Sequence, residues 1–401
     1  MALWTALLWM AGGLAFVGLV VAAYRGVSGW PRVLLALTAS AALATGMTGT
    51  PLALAFLGLN VALVLATWRL AGGRGWWVWV ATLIALLALA KLPVLQPLAG
   101  GREAARGSLP GLGPGVWLGV SYFVFRLIHV TVDVHMGRAK DFTLPELLVY
   151  ALHPASLVAG PIDRLENSVQ AQRSPGAFAE NAHQGLWRIL RGAFGKFVIA
   201  NGLFAFIARH DMTRNPDQPT GVAWLWLAAY SFYILADFAA YSDVAIGFGR
   251  LAGLNLPENF SRPYFSPSMT VFWQRWHISL SSWLRDYLFF PLARRLRLAV
   301  DPRLRSAAQA ASQITTMVAT GLWHGLTPGF AVWGVWHGLG VFAAARLGLS
   351  QPERGLEGWS RCLAHGAGVA GTYLFVTLGW VFFAADLPTA IRILARLFGI
   401  A

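Results

Sequence analysis

Charge is scarce in this chain: Asp, Glu, Lys and Arg make up 12% of its 401 residues, about half of the ~25% usual in soluble domains. That shortage excludes a chain whose surface is mostly wetted by water. Acidic residues are scarcest, 17 against 31 basic ones. Cysteine is almost missing, and the single Cys362 excludes an intrachain disulfide framework and a Cys-rich metal site; no metal site is expected. What is present is apolar. The hydrophobic share is 57% and the mean hydropathy +0.57. The runs Leu3–Ala23, Val33–Met47, Leu52–Trp68 and Trp76–Ala90 are nearly free of charge, and several approach the ~20 residues that cross a bilayer core. About ten to twelve such segments predict an all-α, polytopic transmembrane helical bundle.

No basic residue precedes the first apolar run, so the N-terminus does not read as a cleavable signal peptide. Arg25 and Arg32, Arg69 and Arg74, and Arg138 and Lys140 mark alternate short loops, while Gly46–Pro51 is uncharged. The fourth loop, Ala99–Pro114, breaks the alternation with Arg102, Glu103 and Arg106, but the positive-inside bias of the others puts the N-terminus outside. The net charge of +14 is spread over membrane-flanking loops, which fits anionic lipid rather than nucleic acid. One cluster is denser: Arg294, Arg295, Arg297, Arg303 and Arg305 fall within twelve residues. It would attract lipid phosphates or an acidic partner.

No long soluble insertion interrupts the chain, which reads as one domain over 1–401. Residues 1–98 form an apolar helical scaffold, and Ala99–Gly115 is a Gly/Pro-rich connection. Beyond it, ionisable groups enter the apolar segments, where they are expensive unless they pair or line a cavity. Tyr122, Arg126, His129 and Asp133 share one helix face, as do Tyr230, Tyr233, Asp237 and Tyr241. Each stripe reads as helix-locking polarity or as a cavity lining. Between them, Gly160-Pro161 followed by Asp163-Arg164 marks a helix end.

Ser266–Leu292 does not suit a simple span. Ser266-Pro267 is a helix start, yet the stretch carries Arg275, His277, Arg285 and Asp286 among tryptophans and phenylalanines. Each charge at mid-bilayer costs at least ~2.5 kcal/mol. A helix re-entering the protein interior satisfies both demands, with His277 and Ser281 toward a wet cavity. An interfacial amphipathic helix is the plainer reading. Further on, an apolar run ends in Trp323-His324-Gly325, Pro328-Gly329 breaks the chain, and a second run carries Trp336-His337-Gly338. Either His324 or His337 could be an active base, or a structural histidine.

The stretch FWQRWHISLSSWLRDY (272–287), followed forty-seven residues after His277 by the histidine of GLWHG (321–325), resembles the membrane-bound O-acyltransferase family. Its bacterial branch of alginate O-acetyltransferases and teichoic acid D-alanyltransferases is the nearer likeness, carried also by DFAAYSDVAIGFGR (237–250), PENFSRP (257–263) and AGPIDR (159–164). The likeness spans roughly 115–340, the expected catalytic core. It implies a ring of helices with re-entrant segments around a central tunnel. It implies His324 and His277 as the catalytic pair, with His337 supporting. Trp273, Arg275, Trp276, Ser281, Arg285, Asp286, Asp237, Tyr241 and Trp323 are then expected to line the substrate cavity, and Arg294, Arg295 and Arg297 to meet a carrier or lipid. No bound cofactor is expected, only an acyl thioester donor, either a phosphopantetheinyl carrier protein or acyl-CoA. The acceptor would be a hydroxyl of a cell-envelope polysaccharide or glycolipid, reached from the bacterial cytoplasmic membrane. With no Ser or Cys in a nucleophile elbow, direct transfer without an acyl-enzyme is expected. The competing readings are a transporter or flippase, whose path the same polar residues would line, and an inactive assembly subunit.

Overall fold

The computed structural model describes residues 25–48, 50–91, 119–157, 159–349, 355 and 357–400. The run Leu3–Ala23 and the connection Ala99–Gly115 lie outside them. Among the described residues there are helices and turns and no strand, as a chain short of alternating polarity and rich in Ala and Leu dictates. The polytopic helical reading is borne out. Three helical stretches are long and apolar enough to cross a bilayer: Glu180–Arg209, Thr220–Leu251 and Gly358–Ala384. Leu57–Leu70 and Trp76–Ala90 are shorter apolar helices. The described residues fall into two compact units, those up to 91 and within 119–191 and 243–257 in one, those within 192–242 and 258–400 in the other.

The first unit holds α1 (Trp30–Thr48), α2 (Thr50–Leu70), α3 (Trp76–Ala90), α4 (Val120–His135), α5 (Leu144–Leu152), the single turn α6 (Pro154–Leu157), α7 (Leu165–Arg173) and most of α8 (Phe178–Phe194). Its centre is the polar stripe on α4. Arg126 is 1% exposed and donates to the carbonyls of Tyr150 and Ala151 at 3.2 and 3.0 Å and to that of Ser156. These are the last carbonyls of α5 and a carbonyl of α6, which have no partner inside their own helices. The guanidinium therefore caps one helix while hanging from another. His129 lies 3.2 Å from the Tyr150 hydroxyl, which donates to the Asp163 carbonyl, and Asp133 pairs with Arg138 at 2.6 Å. The stripe is thus satisfied by neighbouring elements, the helix-locking alternative. At the other end of α5, Thr143 and Glu146 form a reciprocal cap. The hydrogen bond from Arg173 is the main reason that the Glu146 carboxyl titrates below its usual range.

The second unit contains α9 (Asn201–Arg209), the first two thirds of α10 (Thr220–Leu251), α11 (Met269–Arg275), α12 (Ile278–Leu284), α13 (Phe290–Ala299), α14 (Arg305–His324), α15 (Pro328–Arg346), α16 (Gly358–Ala384) and α17 (Leu387–Leu397). Two π-helical turns, Gly195–Ala200 and Arg285–Phe289, run into α9 and α13. The expected start at Ser266-Pro267 is corrected: Ser268 is the cap, accepting from the Val271 amide at 3.3 Å, and the helix begins at Met269. Trp226, Trp333, Trp380 and Phe272, each at most 2% exposed, fill the core.

Replacing Arg126 by Met keeps the volume but strands the buried Tyr150 and Ala151 carbonyls and leaves that of Ser156 with the Gly160 amide alone. Arg126→Met should lower stability by about 3 kcal/mol, read as a lower thermal midpoint in detergent; an unchanged midpoint would refute the capping role.

Candidate active site

His277 sits at an elbow. It separates α11 from α12 with φ 44° and ψ 53°, a left-handed conformation that only one other non-glycine residue, Arg262, adopts among the described residues. Such geometry is unfavourable for an L side chain and persists only where surroundings impose it. Here they do. The Ile278 amide donates to the Asn259 carbonyl at 2.9 Å and the Ser261 amide to the Arg275 carbonyl at 3.0 Å. The Asn259 side chain accepts from the Ser279 hydroxyl at 2.6 Å and donates to that of Ser242 at 3.0 Å. The imidazole is held 3% exposed, edge-on to Phe238 at 4.7 Å between ring centroids.

His324 arrives from the other side of a hairpin. From His277 the chain climbs through helical pieces of 7, 5 and 10 residues. It turns at Asp301-Pro302 and returns as the 20 residues of α14. At ~1.5 Å per residue both arms are roughly 30 Å long, so the return brings Trp323 back to His277, 6.3 Å between rings. Trp323 also lies 4.5 Å from the ring of the adjacent His324, and so neighbours both imidazoles. His324 is only partly buried, bordered by Phe383 at 4.8 Å, Trp333 at 5.7 Å and Phe330 at 5.9 Å.

Alignment of α14 with α15 is set by glycine. A Cβ on Gly334 would stand 2.5 Å from the Val318 Cα, one on Gly338 2.7 Å from the Ile314 Cα, and one on Gly321 would collide with the Phe330 carbonyl. The two backbones touch, which is how helices pack where lipid gives no hydrophobic drive.

The elbow histidine and the helix-end histidine both lie within a stretch shared with a known family. The profile of the MBOAT, membrane-bound O-acyltransferase family covers residues 109–379. The chain belongs to the membrane-bound O-acyltransferase family. Among relatives, a probable alginate O-acetylase from Pseudomonas putida is 34% identical over 286 residues, 70% of this chain and 54% of that protein. A teichoic acid D-alanyltransferase from Streptococcus thermophilus is 31% identical over 232 residues, 56% of each chain. A peptidoglycan O-acetyltransferase from Helicobacter pylori is 30% identical over 280 residues, 65% of this chain and 48% of that one. The chain spans about half the length of the curated relatives it matches.

The family's remaining motif residues fall into distinct places. Trp273, Trp333 and Trp380 surround His337, with ring centroids 5.3, 4.6 and 6.1 Å away. His337 is fully buried, and neither ring nitrogen has a hydrogen-bond partner among the described residues. Trp276 packs between Phe272 and Trp380 at 5.6 and 5.1 Å. The Ser281 hydroxyl donates to the Trp276 carbonyl at 2.8 Å, bracing the elbow. Asp237 forms an ion pair with Lys196, and Tyr241 lies beside Phe238, 6.3 Å between rings. Arg285 and Asp286 pair with each other at 3.0 Å, two turns beyond His277, the arginine exposed and the aspartate half-buried. Arg294, Arg295 and Arg297 are exposed near the hairpin tip, well away from the histidines. Sequence reasoning missed Phe238, Asn259, Lys196 and Phe383. Asn259 could have been found, since it stands inside the PENFSRP stretch; the aromatic neighbours carry no spacing signal.

Two measurements test this geometry. His277→Asn, a residue that tolerates left-handed backbone, should melt near the parent temperature, whereas His277→Val should melt lower by about 1–3 kcal/mol of strain; equal midpoints would deny that the elbow is imposed. Gly334→Leu should destabilise the second unit and abolish activity, while Gly366→Ala, with open space around its Cβ, should leave the midpoint unchanged.

Proposed function

We propose that the chain is a membrane O-acyltransferase that moves an acyl group, acetyl, D-alanyl or similar, from a thioester donor to a hydroxyl of a cell-envelope polysaccharide or glycolipid. The observation that carries this is the pair His277 and His324 against the common neighbour Trp323, inside a shell of aromatic rings. The names of the relatives point to the same chemistry.

In this reading His324, the more open imidazole, is the general base. An imidazole nitrogen takes the acceptor's hydroxyl proton as the oxygen attacks the thioester carbonyl, and the carbon–sulfur bond breaks as the thiolate leaves. The proton then passes to the thiolate. A base with a pKa near neutrality suits both halves of that transfer. His277, fixed at the elbow, orients the acyl group or polarises its carbonyl. His337 supports the cluster from within. Trp273, Trp276 and Trp323 form walls that hold the reacting atoms in register, a contribution from orientation. No acyl-enzyme is needed.

The catalytic core is assigned to residues 115–340 of a single domain, with donor and acceptor meeting through a central tunnel. The donor is a phosphopantetheinyl carrier protein or acyl-CoA. The exposed tip arginines Arg294, Arg295 and Arg297 would meet an acidic carrier or anionic lipid. The protein would reside in the bacterial cytoplasmic membrane with its N-terminus outside, given the bias of basic loops.

His324→Ala, assayed with labelled thioester donors and envelope glycan, should lower transfer by about 10²–10⁴-fold with membrane insertion unchanged by fractionation. Full activity in that variant would remove His324 from the mechanism, and labelled material crossing the membrane without a covalent product would favour a transporter.

A further inference from the structure

Beside the elbow lies a cavity of ≈660 Å³ lined by Ser261, Arg262, Phe265 and Arg275, a volume typical of small-molecule sites. No acidic residue lines it, and two guanidinium groups do. Arg275 spends one nitrogen on the Phe265 carbonyl at 3.0 Å, which fixes its plane and leaves other donors available. The Arg262 carbonyl accepts from the Phe265 amide at 3.1 Å, but its guanidinium forms no hydrogen bond or ion pair among the described residues. Its backbone is left-handed, φ 49° and ψ 55°, and it and His277 bracket α11 as the two strained positions. Two unneutralised arginines in a concave site select an oxyanion, and their forked donors match phosphate.

The cavity wall is also mechanically part of the elbow. The amide of Ser261 is bonded to the Arg275 carbonyl and the carbonyl of Asn259 to the Ile278 amide. One short segment therefore presents Arg262 on the cavity and clamps His277. Phe265, 68% exposed, offers an apolar face at the same place.

We propose that this cavity binds the phosphate ester of the acyl donor. The inference rests on the acyltransferase reading and names its donor subsite. Both donor types end in a pantetheine arm joined to a phosphate, so one site serves either, with the arm's alkyl portion against Phe265 and its thioester toward the histidines. A lipid headgroup presents the same phosphate chemistry, and an acidic glycan would present a carboxylate. The test is arranged to separate these.

The full chain in phosphatidylcholine nanodiscs is titrated with 4′-phosphopantetheine and with pantetheine, the same arm without phosphate. The parent should prefer the phosphorylated arm by about tenfold. Arg262→Gln should remove most of that preference, Arg262→Lys should keep part of it, and Arg262→Gln with Arg275→Gln should abolish it. Equal affinity for the two arms in the parent overturns the proposal, as does a preference that survives the double substitution. A preference that disappears when phosphatidylglycerol replaces phosphatidylcholine assigns the site to lipid and overturns the donor assignment. Binding of an oligouronate that falls with Arg262→Gln, while phosphopantetheine binding does not, overturns it in favour of the acceptor. Because binding needs no turnover, a chain that transfers acyl groups without discriminating the arms loses this subsite alone. One that transfers nothing loses the function.

Discussion

Everything proposed for the second unit depends on how closely α14 and α15 approach. Gly321, Gly334 and Gly338 let backbone meet backbone, and that contact fixes where α14 ends, hence where Trp323 and His324 stand. The same approach brings Trp333 against His324 and His337 at once. A side chain at any of the three glycines would move the histidine relative to its aromatic shell by the thickness of a methyl group or more. Orientation of reacting groups tolerates far less than that. The inter-helix contact is therefore as much a part of the site's geometry as the imidazoles are.

The two units solve the problem of buried polarity differently. In the first, both terminal nitrogens of Arg126 donate to carbonyls, and His129 and Tyr150 extend a chain of hydrogen bonds to the loop at Asp163. Such satisfied networks rigidify. In the second, His277, His324 and His337 are each bordered by aromatic rings. Aromatic edges and faces position an imidazole through edge-on and offset contacts.

Sequence patterning announced the helical membrane class, because a shortage of charge and long apolar runs leave no other backbone arrangement. It also announced the break at Gly325 and Pro328 and the unsuitability of 266–292 for a plain span, since Gly, Pro and intramembrane charge act locally. What it could not announce was the elbow at His277. Nothing in Arg-Trp-His-Ile-Ser forbids a continuous helix; the bend is imposed by Asn259 and Ser261, some eighteen residues upstream and held by tertiary hydrogen bonds. Nor could it give the pairing of Asp237 with Lys196, which joins two segments forty-one residues apart. Ser266 was the plausible cap by type, but Ser268 has the backbone angles that let its hydroxyl reach back to the helix.

The π turn at Arg285–Phe289 divides the hairpin's first arm into two helices that differ in azimuth. A turn of this kind takes in one residue more than an α turn, and each residue subtends about 100° of rotation about the axis. The arginines of α13 therefore point about a quarter of a circle away from where a uniform helix starting at Ile278 would have aimed them. Gain or loss of a single residue at this turn would swing the exposed arginines to a new bearing by about the same angle.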